Sequence, residues 1–206
     1  MIAPASTSGV PLKIGLTGGI GSGKTTIACI FEKLGYPVYI SDSRASWLTN
    51  HNEKIRRELI RHFGEQIYTR EGILNKKNMA DLIFKDKSAL AKVNSIVHPE
   101  VLDDFIEWSR QQHAPFILFE SAILFESGLS QHFDLIINVT ASQETRIRRI
   151  IKRDDTTPEK VMERINNQYS DEERCRKSDF IINTDDDRML LQQVLDIAGQ
   201  LTGKRK

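Results

Sequence analysis

Five short apolar runs punctuate the chain, at Lys13–Leu16, Val38–Ile40, Phe116–Phe119, Leu135–Val139 and Phe180–Ile182. Each has the length of one strand, and the near-continuous run at Phe116–Phe119 fits a central strand covered on both faces. Between the first two runs, Ile27, Ile30, Phe31 and Leu34 share one face of a predicted helix over Lys24–Leu34, which Gly35 stops. Strand, glycine-rich loop, helix and strand in that order predict a parallel α/β sheet. From Ser43 to Gln112 the period becomes helical: Ile55, Leu59, Ile60 and Phe63, then Met79, Leu82 and Ile83, then Leu90, Val93 and Val97. Pro99 is expected to divide that last helix from one carrying Val101, Leu102, Phe105 and Trp108, because proline disfavours the helical state of the residue before it. Trp47, Phe63 and Trp108 could stack on a substrate, but their helical spacing makes them core residues first. Later helices are predicted over Ser142–Arg153, Pro158–Tyr169 and Asp187–Leu201. Thr157 precedes Pro158 as an N-cap, and Ser170 with Glu173 forms a capping box.

The loop after the first strand carries the chemistry. Gly18-Gly19-Ile20-Gly21-Ser22-Gly23-Lys24-Thr25 satisfies G-x-x-x-x-G-K-[ST] in full, a match that arises by chance in about one chain in a hundred of this length. It also stands where the mechanism needs it, after a strand and before a helix. Its backbone N–H groups can converge on an anion, and the helix adds the positive end of its dipole. Lys24 can reach the β- and γ-phosphates of a nucleotide, and the Thr25 hydroxyl can ligate Mg²⁺. The loop predicts ATP binding by Gly19, Gly21, Ser22, Gly23, Lys24, Thr25 and Thr26. A GTPase would need N-K-x-D after a strand; the nearest string, Asn75-Lys76-Lys77-Asn78, lacks the aspartate and lies in the helical block.

Composition narrows the classes further. The chain has 206 residues, 39% apolar and 28% charged, with a net charge of +1. That balance gives no reason to expect nucleic acid or a membrane surface as partner. No apolar run is long enough to cross a bilayer. Residues 1–12 read as a flexible tail lacking the basic and apolar regions of a signal peptide, and the basic end Gly203-Lys204-Arg205-Lys206 reads as a solvated terminus. Cys29 and Cys175 are far apart and outside any metal-ligand spacing, so two reduced thiols and a cytoplasmic location are expected.

With these segments in hand the chain resembles the dephospho-CoA kinase family over nearly its whole length after the tail. The resemblance rests on IGLTGGIGSGKTT, LGYPVYISDSRA, VNSIVHPEV, ESAILFESGL, IIKRDD and DFIINTD, in that order. Two departures stand out. Ile40-Ser41-Asp42 replaces the family's Asp-Ala-Asp, and Ala122-Ile123-Leu124 replaces its Pro-Leu-Leu. The resemblance implies a three-layer P-loop NTPase fold with a parallel five-stranded sheet. It also implies an inserted helical CoA-substrate domain at residues 43–112, a nucleotide core at 13–42 and 113–206, and a lid at 145–177. The implied reaction transfers the γ-phosphoryl of ATP, with Mg²⁺, to the 3′-hydroxyl of dephospho-CoA, in a monomer or weak homo-oligomer. The alternatives are another P-loop nucleoside or nucleotide kinase, or an ATP-dependent switch.

Individual residues keep two readings each. Asp42 is the candidate base and substrate ligand, or the N-cap of a helix starting at Ser43. Glu120 ends its strand as a water-mediated Mg²⁺ ligand, or as a carboxylate capping a turn. Arg146, Arg149 and Arg153 share a helix face, either as a solvated stripe or with Arg149 and Arg153 as lid residues neutralising the transferring phosphoryl group. Asn183 belongs to an adenine pocket or to turn chemistry. His98, beside Pro99, is a candidate for holding the CoA-side substrate, or an ordinary packed histidine.

Overall fold

A computed structural model describes residues 10–203. Most of the predicted tail at 1–12 and the last three residues of the basic end lie outside the described residues. The chain divides into two compact units, one of residues 40–108 and one made of everything before and after them.

The first unit is built on a five-stranded sheet: β1 (Leu12–Gly18), β2 (Val38–Ile40), β3 (Phe116–Glu120), β4 (Leu135–Thr140) and β5 (Phe180–Asn183). Their order is β2-β3-β1-β4-β5. The pairs β1–β3, β1–β4 and β4–β5 are parallel, with Gly15 opposite Phe119 and Ile136, and Thr17 opposite Asn138. Aligned residues point to one face, so the layers can be read from contacts. On one side Phe31 of α1 (Lys24–Lys33) meets Phe116 edge-on at 6.1 Å. On the other, Phe119 packs on Phe133 at 5.0 Å and on Tyr39 at 5.4 Å. A Cβ on Gly15 would lie 2.6 Å from Leu124, so the post-β3 segment closes down on the sheet at this point. All five residues of β3 are buried, as expected for a strand covered on both faces.

Three helices connect β4 to β5: α6 (Gln143–Asp154), α7 (Pro158–Asn166) and α8 (Asp171–Arg176); α9 (Leu190–Gly203) follows β5 after a short 3₁₀ turn. The Ser170–Glu173 capping box forms as the sequence predicts. Thr157 takes the N-cap position of α7, but its side chain makes no capping hydrogen bond.

The second unit holds α2 (Ser41–His51), α3 (Glu53–Phe63), α4 (Lys76–Lys85) and most of α5 (Lys87–Arg110). Two sequence expectations fail here. Pro99 does not separate two helices; it lies inside α5. The apolar set Val97, Val101 and Phe105, all buried, runs straight through it at four-residue spacing. One lost backbone bond is outweighed by burial of a continuous stripe. Trp47 is not a core residue: it is 45% exposed, stacked on His51 at 4.3 Å with the Arg44 guanidinium 4.3 Å from its ring. Phe63 and Trp108 are partly buried.

Candidate active site in the phosphate loop

The loop between β1 and α1 is shaped by its glycines and by what presses on them. Gly23 is the N-cap of α1 at φ +94°, a left-handed conformation that disfavours side chains. No side chain caps α1, and its first turn holds no acidic residue. The positive end of the helix is therefore open to an exogenous anion. Lys24 Nζ donates to the Gly18 carbonyl at 2.9 Å, folding the ammonium back across its own loop. Thr25 and Thr26 are exposed on the first turn of α1, and Ser22 is buried.

Beside the loop is a hollow of about 360 Å³ lined by Gly23, Thr26, Arg149, Thr184, Asp187 and Leu190. Thr184 organises it. Its hydroxyl donates to the Ser22 carbonyl at 2.7 Å and accepts from Arg149 Nη1 at 2.8 Å; Arg149 Nη2 donates to its carbonyl at 2.7 Å. Arg149 thus lines the hollow, as the α6 arginine stripe allowed. Asn183 does not. Its side chain accepts from the Asp185 amide at 2.8 Å, and its backbone pairs with Gln193. Turn chemistry takes Asn183, and Thr184, one residue on, faces the loop.

The rest of the arginine stripe diverges. Arg153 projects outward and grips Asp154 through two bonds, at 2.7 and 3.1 Å, and Arg164 joins them at 2.7 Å. The two guanidinium groups pull the Asp154 carboxyl down to about 2. Arg146 instead turns inward and is 1% exposed. Its Nε donates to the Ile20 carbonyl at 2.9 Å, and its Nη1 is bonded to Asp171. Arg174, equally buried, shares Asp171. A Cβ on Gly19 would lie 2.4 Å from Arg146 Nη2 and 2.7 Å from Arg174 Nη2, so only glycine admits this pair of cations against the loop. Burial lowers the Arg146 pKa, with Asp171 opposing.

Glu120 ends β3, is 6% exposed and stands level with Leu16 of β1. Glu120 and the exposed Thr25 each carry hard oxygen donors, the kind that suits Mg²⁺ holding several waters. In the second unit, Asp42 is exposed in the first turn of α2, which begins at Ser41; Ile40 is its N-cap. The N-cap reading of Asp42 therefore fails. His98 is half-buried, and burial lowers its pKa while the negative charge of Asp42 works against that.

Arg146, Arg174, Gln168 and Thr184 escaped the sequence reading as site residues. Each acts on the loop across more than a hundred residues, so even the helical spacing that singled out Arg146 does not show it meeting the loop. The DFIINTD segment contains Thr184, one residue beyond the candidate Asn183.

Comparison with known proteins agrees with this architecture. Residues 12–189 match the family model described as dephospho-CoA kinase. A dephospho-CoA kinase from Bacteroides fragilis is 39% identical over 194 residues, 94% of each chain. Among solved structures, a Thermus thermophilus protein superposes with a TM-score of 0.83 at 30% identity, over 93% of this chain and 98% of that one. A dephospho-CoA kinase from Campylobacter jejuni, 22% identical over 94% of this chain and 98% of its own, shares the fold with a TM-score of 0.70. Its phosphate loop is walled by Arg149 and Thr184 on a parallel sheet, and with the family model matching residues 12–189 and 39% identity to a member along 94% of its length, the chain belongs to the dephospho-CoA kinase family.

Proposed function

We propose that this protein transfers the γ-phosphoryl group of ATP to the 3′-hydroxyl of dephospho-CoA, giving coenzyme A and ADP. The observation that carries the reading is the uncapped, glycine-bounded start of α1, with Lys24 at its mouth and a hollow of nucleoside size beside it, in a chain of this family. The loop amides and Lys24 bind the phosphates, and the hollow takes the adenosine end, with Arg149 against it. Thr25, and Glu120 through water, would hold Mg²⁺, which when bound neutralises charge on the β- and γ-oxygens.

Phosphoryl transfer asks mainly for positioning and charge stabilisation. Asp42 orients the ribose hydroxyl and accepts its proton as the oxygen attacks phosphorus. Arg153 leaves Asp154 to meet the transferring group, within a lid spanning 145–177. His98 contributes to holding the acceptor, in a substrate domain formed by the helices of residues 43–112. The absence of any helix long and apolar enough to cross a membrane among the described residues is compatible with a cytoplasmic enzyme, working as a monomer or weak homo-oligomer.

The test is ADP release from Mg·ATP with and without dephospho-CoA, with mass analysis of the acceptor. Acceptor-dependent release and one added phosphate support the reading. No acceptor-dependent release from folded, ATP-binding protein overturns it, and a panel of nucleosides and small alcohols then identifies the kinase class.

A further inference from the structure

The third residue of the phosphate loop is held from outside at both of its backbone groups. The Ile20 N–H donates to Gln168 Oε1 at 2.8 Å, and the Ile20 carbonyl accepts from Arg146 Nε at 2.9 Å. These two bonds fix the peptide planes on either side of Ile20. They thereby set the direction in which the following amides leave for the phosphates. Gln168 also reaches the turn after β3, its Nε2 donating to the Ala122 carbonyl at 3.4 Å. The two partners leave one orientation for the side-chain amide, because an N–H requires the oxygen and a carbonyl requires the nitrogen. Gln168 therefore bridges the ends of two neighbouring strands, β1 and β3, where ligands sit in open α/β sheets.

Gln168 belongs to the connection between α7 and α8, and its neighbours are tied down in the same region. The Tyr169 N–H donates to Glu126 Oε1 at 3.0 Å, and Asp171 bonds both Arg146 and Arg174. A shift of this connection must pull on Ile20. A lone hydrophobic anchor would let it slide; three directional attachments within four residues do not.

We propose that Gln168 is a positioning residue for phosphoryl transfer: it holds the Ile20 amide so that the phosphate loop is preformed for nucleotide, and it couples the loop to the α7–α8 connection. The inference rests on the kinase reading above, but its test uses nucleotide binding alone as well as turnover.

The variant is Gln168→Leu, which keeps the bulk of a half-buried side chain and removes both polar contacts. Leaving the Ile20 N–H without its acceptor is expected to weaken Mg·ATP binding about tenfold. The ATP KM should rise in step and the dephospho-CoA KM stay unchanged. Hydrogen exchange at the Ile20 amide should quicken while amides of β1 keep their protection. Gln168→Glu retains the acceptor for Ile20 but turns an oxygen on the Ala122 carbonyl, and should recover the slow Ile20 exchange. Asp179→Ala is the control: it removes the acceptor of the Ile136 N–H, 2.8 Å away near the start of β4, without touching the loop or the α7–α8 connection, and should lower thermal stability while leaving ATP affinity as it was. Unchanged ATP affinity and unchanged Ile20 exchange in folded Gln168→Leu overturn the proposal. So does an equal loss of affinity in Asp179→Ala, which would make the effect one of general loosening. If the unaltered protein binds ATP but does not phosphorylate dephospho-CoA, the kinase reading fails while the Ile20 measurement still stands.

Discussion

Asp42 and His98 show how far single residues can be argued. Asp42 stands exposed in the first turn of α2. A carboxylate so placed is open to a substrate hydroxyl brought to it. Asp42→Asn is therefore expected to lower kcat by about 10²–10⁴, the usual range for loss of a general base, with the Kd for Mg·ATP nearly unchanged; paired turnover and nucleotide titrations check both halves. His98 makes a pH argument. Its folded pKa is lowered by burial, so between that value and the ordinary 6.5 the unfolded chain binds a proton that the native chain refuses. Stability contributed by this group is present above 6.5 and is lost as pH falls below it. Denaturant melts at pH 7.5 and 5.5 should show a smaller loss in His98→Gln than in the unaltered protein. The sequence made both residues visible through the segments around them. It did not show that α2 begins one residue before Asp42, which is what removes the N-cap alternative.

Helices and strands were legible where one physical signal dominated. The five apolar runs became strands, most completely β3, whose five residues are all buried, while β5 at the sheet edge buries mainly Ile182. The Ser170–Glu173 box formed because its bonds are local. Pro99 was misread because the local rule, that proline ends helices, competes with an apolar stripe visible only when Val97, Val101 and Phe105 are counted together. Asn183 and Thr184 differ for a similar reason: which of two adjacent polar residues faces the loop depends on where β5 ends. Capping offers a test at this scale. Asn52 Oδ1 accepts from the amides of Lys54 and Ile55 at 2.9 and 3.1 Å, holding the start of α3. Asn52→Ala is expected to cost about 1 kcal/mol in equilibrium denaturation. ADP release at low temperature should stay close to that of the unaltered protein, because the change touches neither the loop nor Asp42.

At the scale of the whole chain, the sheet order β2-β3-β1-β4-β5 puts β1, the strand that delivers the phosphate loop, at the centre of the sheet. No periodicity in the sequence states that order. It follows from crossovers that carry β2 and β3 to one side of β1 and β4 and β5 to the other. The loop at the end of β1 is reached from the β4–β5 side, by Gln168 and Arg146 from the connection between those strands and by Thr184 from just beyond β5. These residues can lend rigidity only if their own elements are folded, so nucleotide binding and folding of the discontinuous unit should be linked. Ligand at a hundred times its Kd is expected to stabilise the native state by about 2.7 kcal/mol. Thermal unfolding with and without Mg·ATP should show that shift, whereas Lys24→Met, which keeps the stem and removes the ammonium, should lose most of it. Hydrogen exchange can then locate the gain. Protection should rise in β1, β4 and α6, whose amides report on the unit that holds the loop, and a gain confined to residues 40–108 would mean that the nucleotide binds elsewhere.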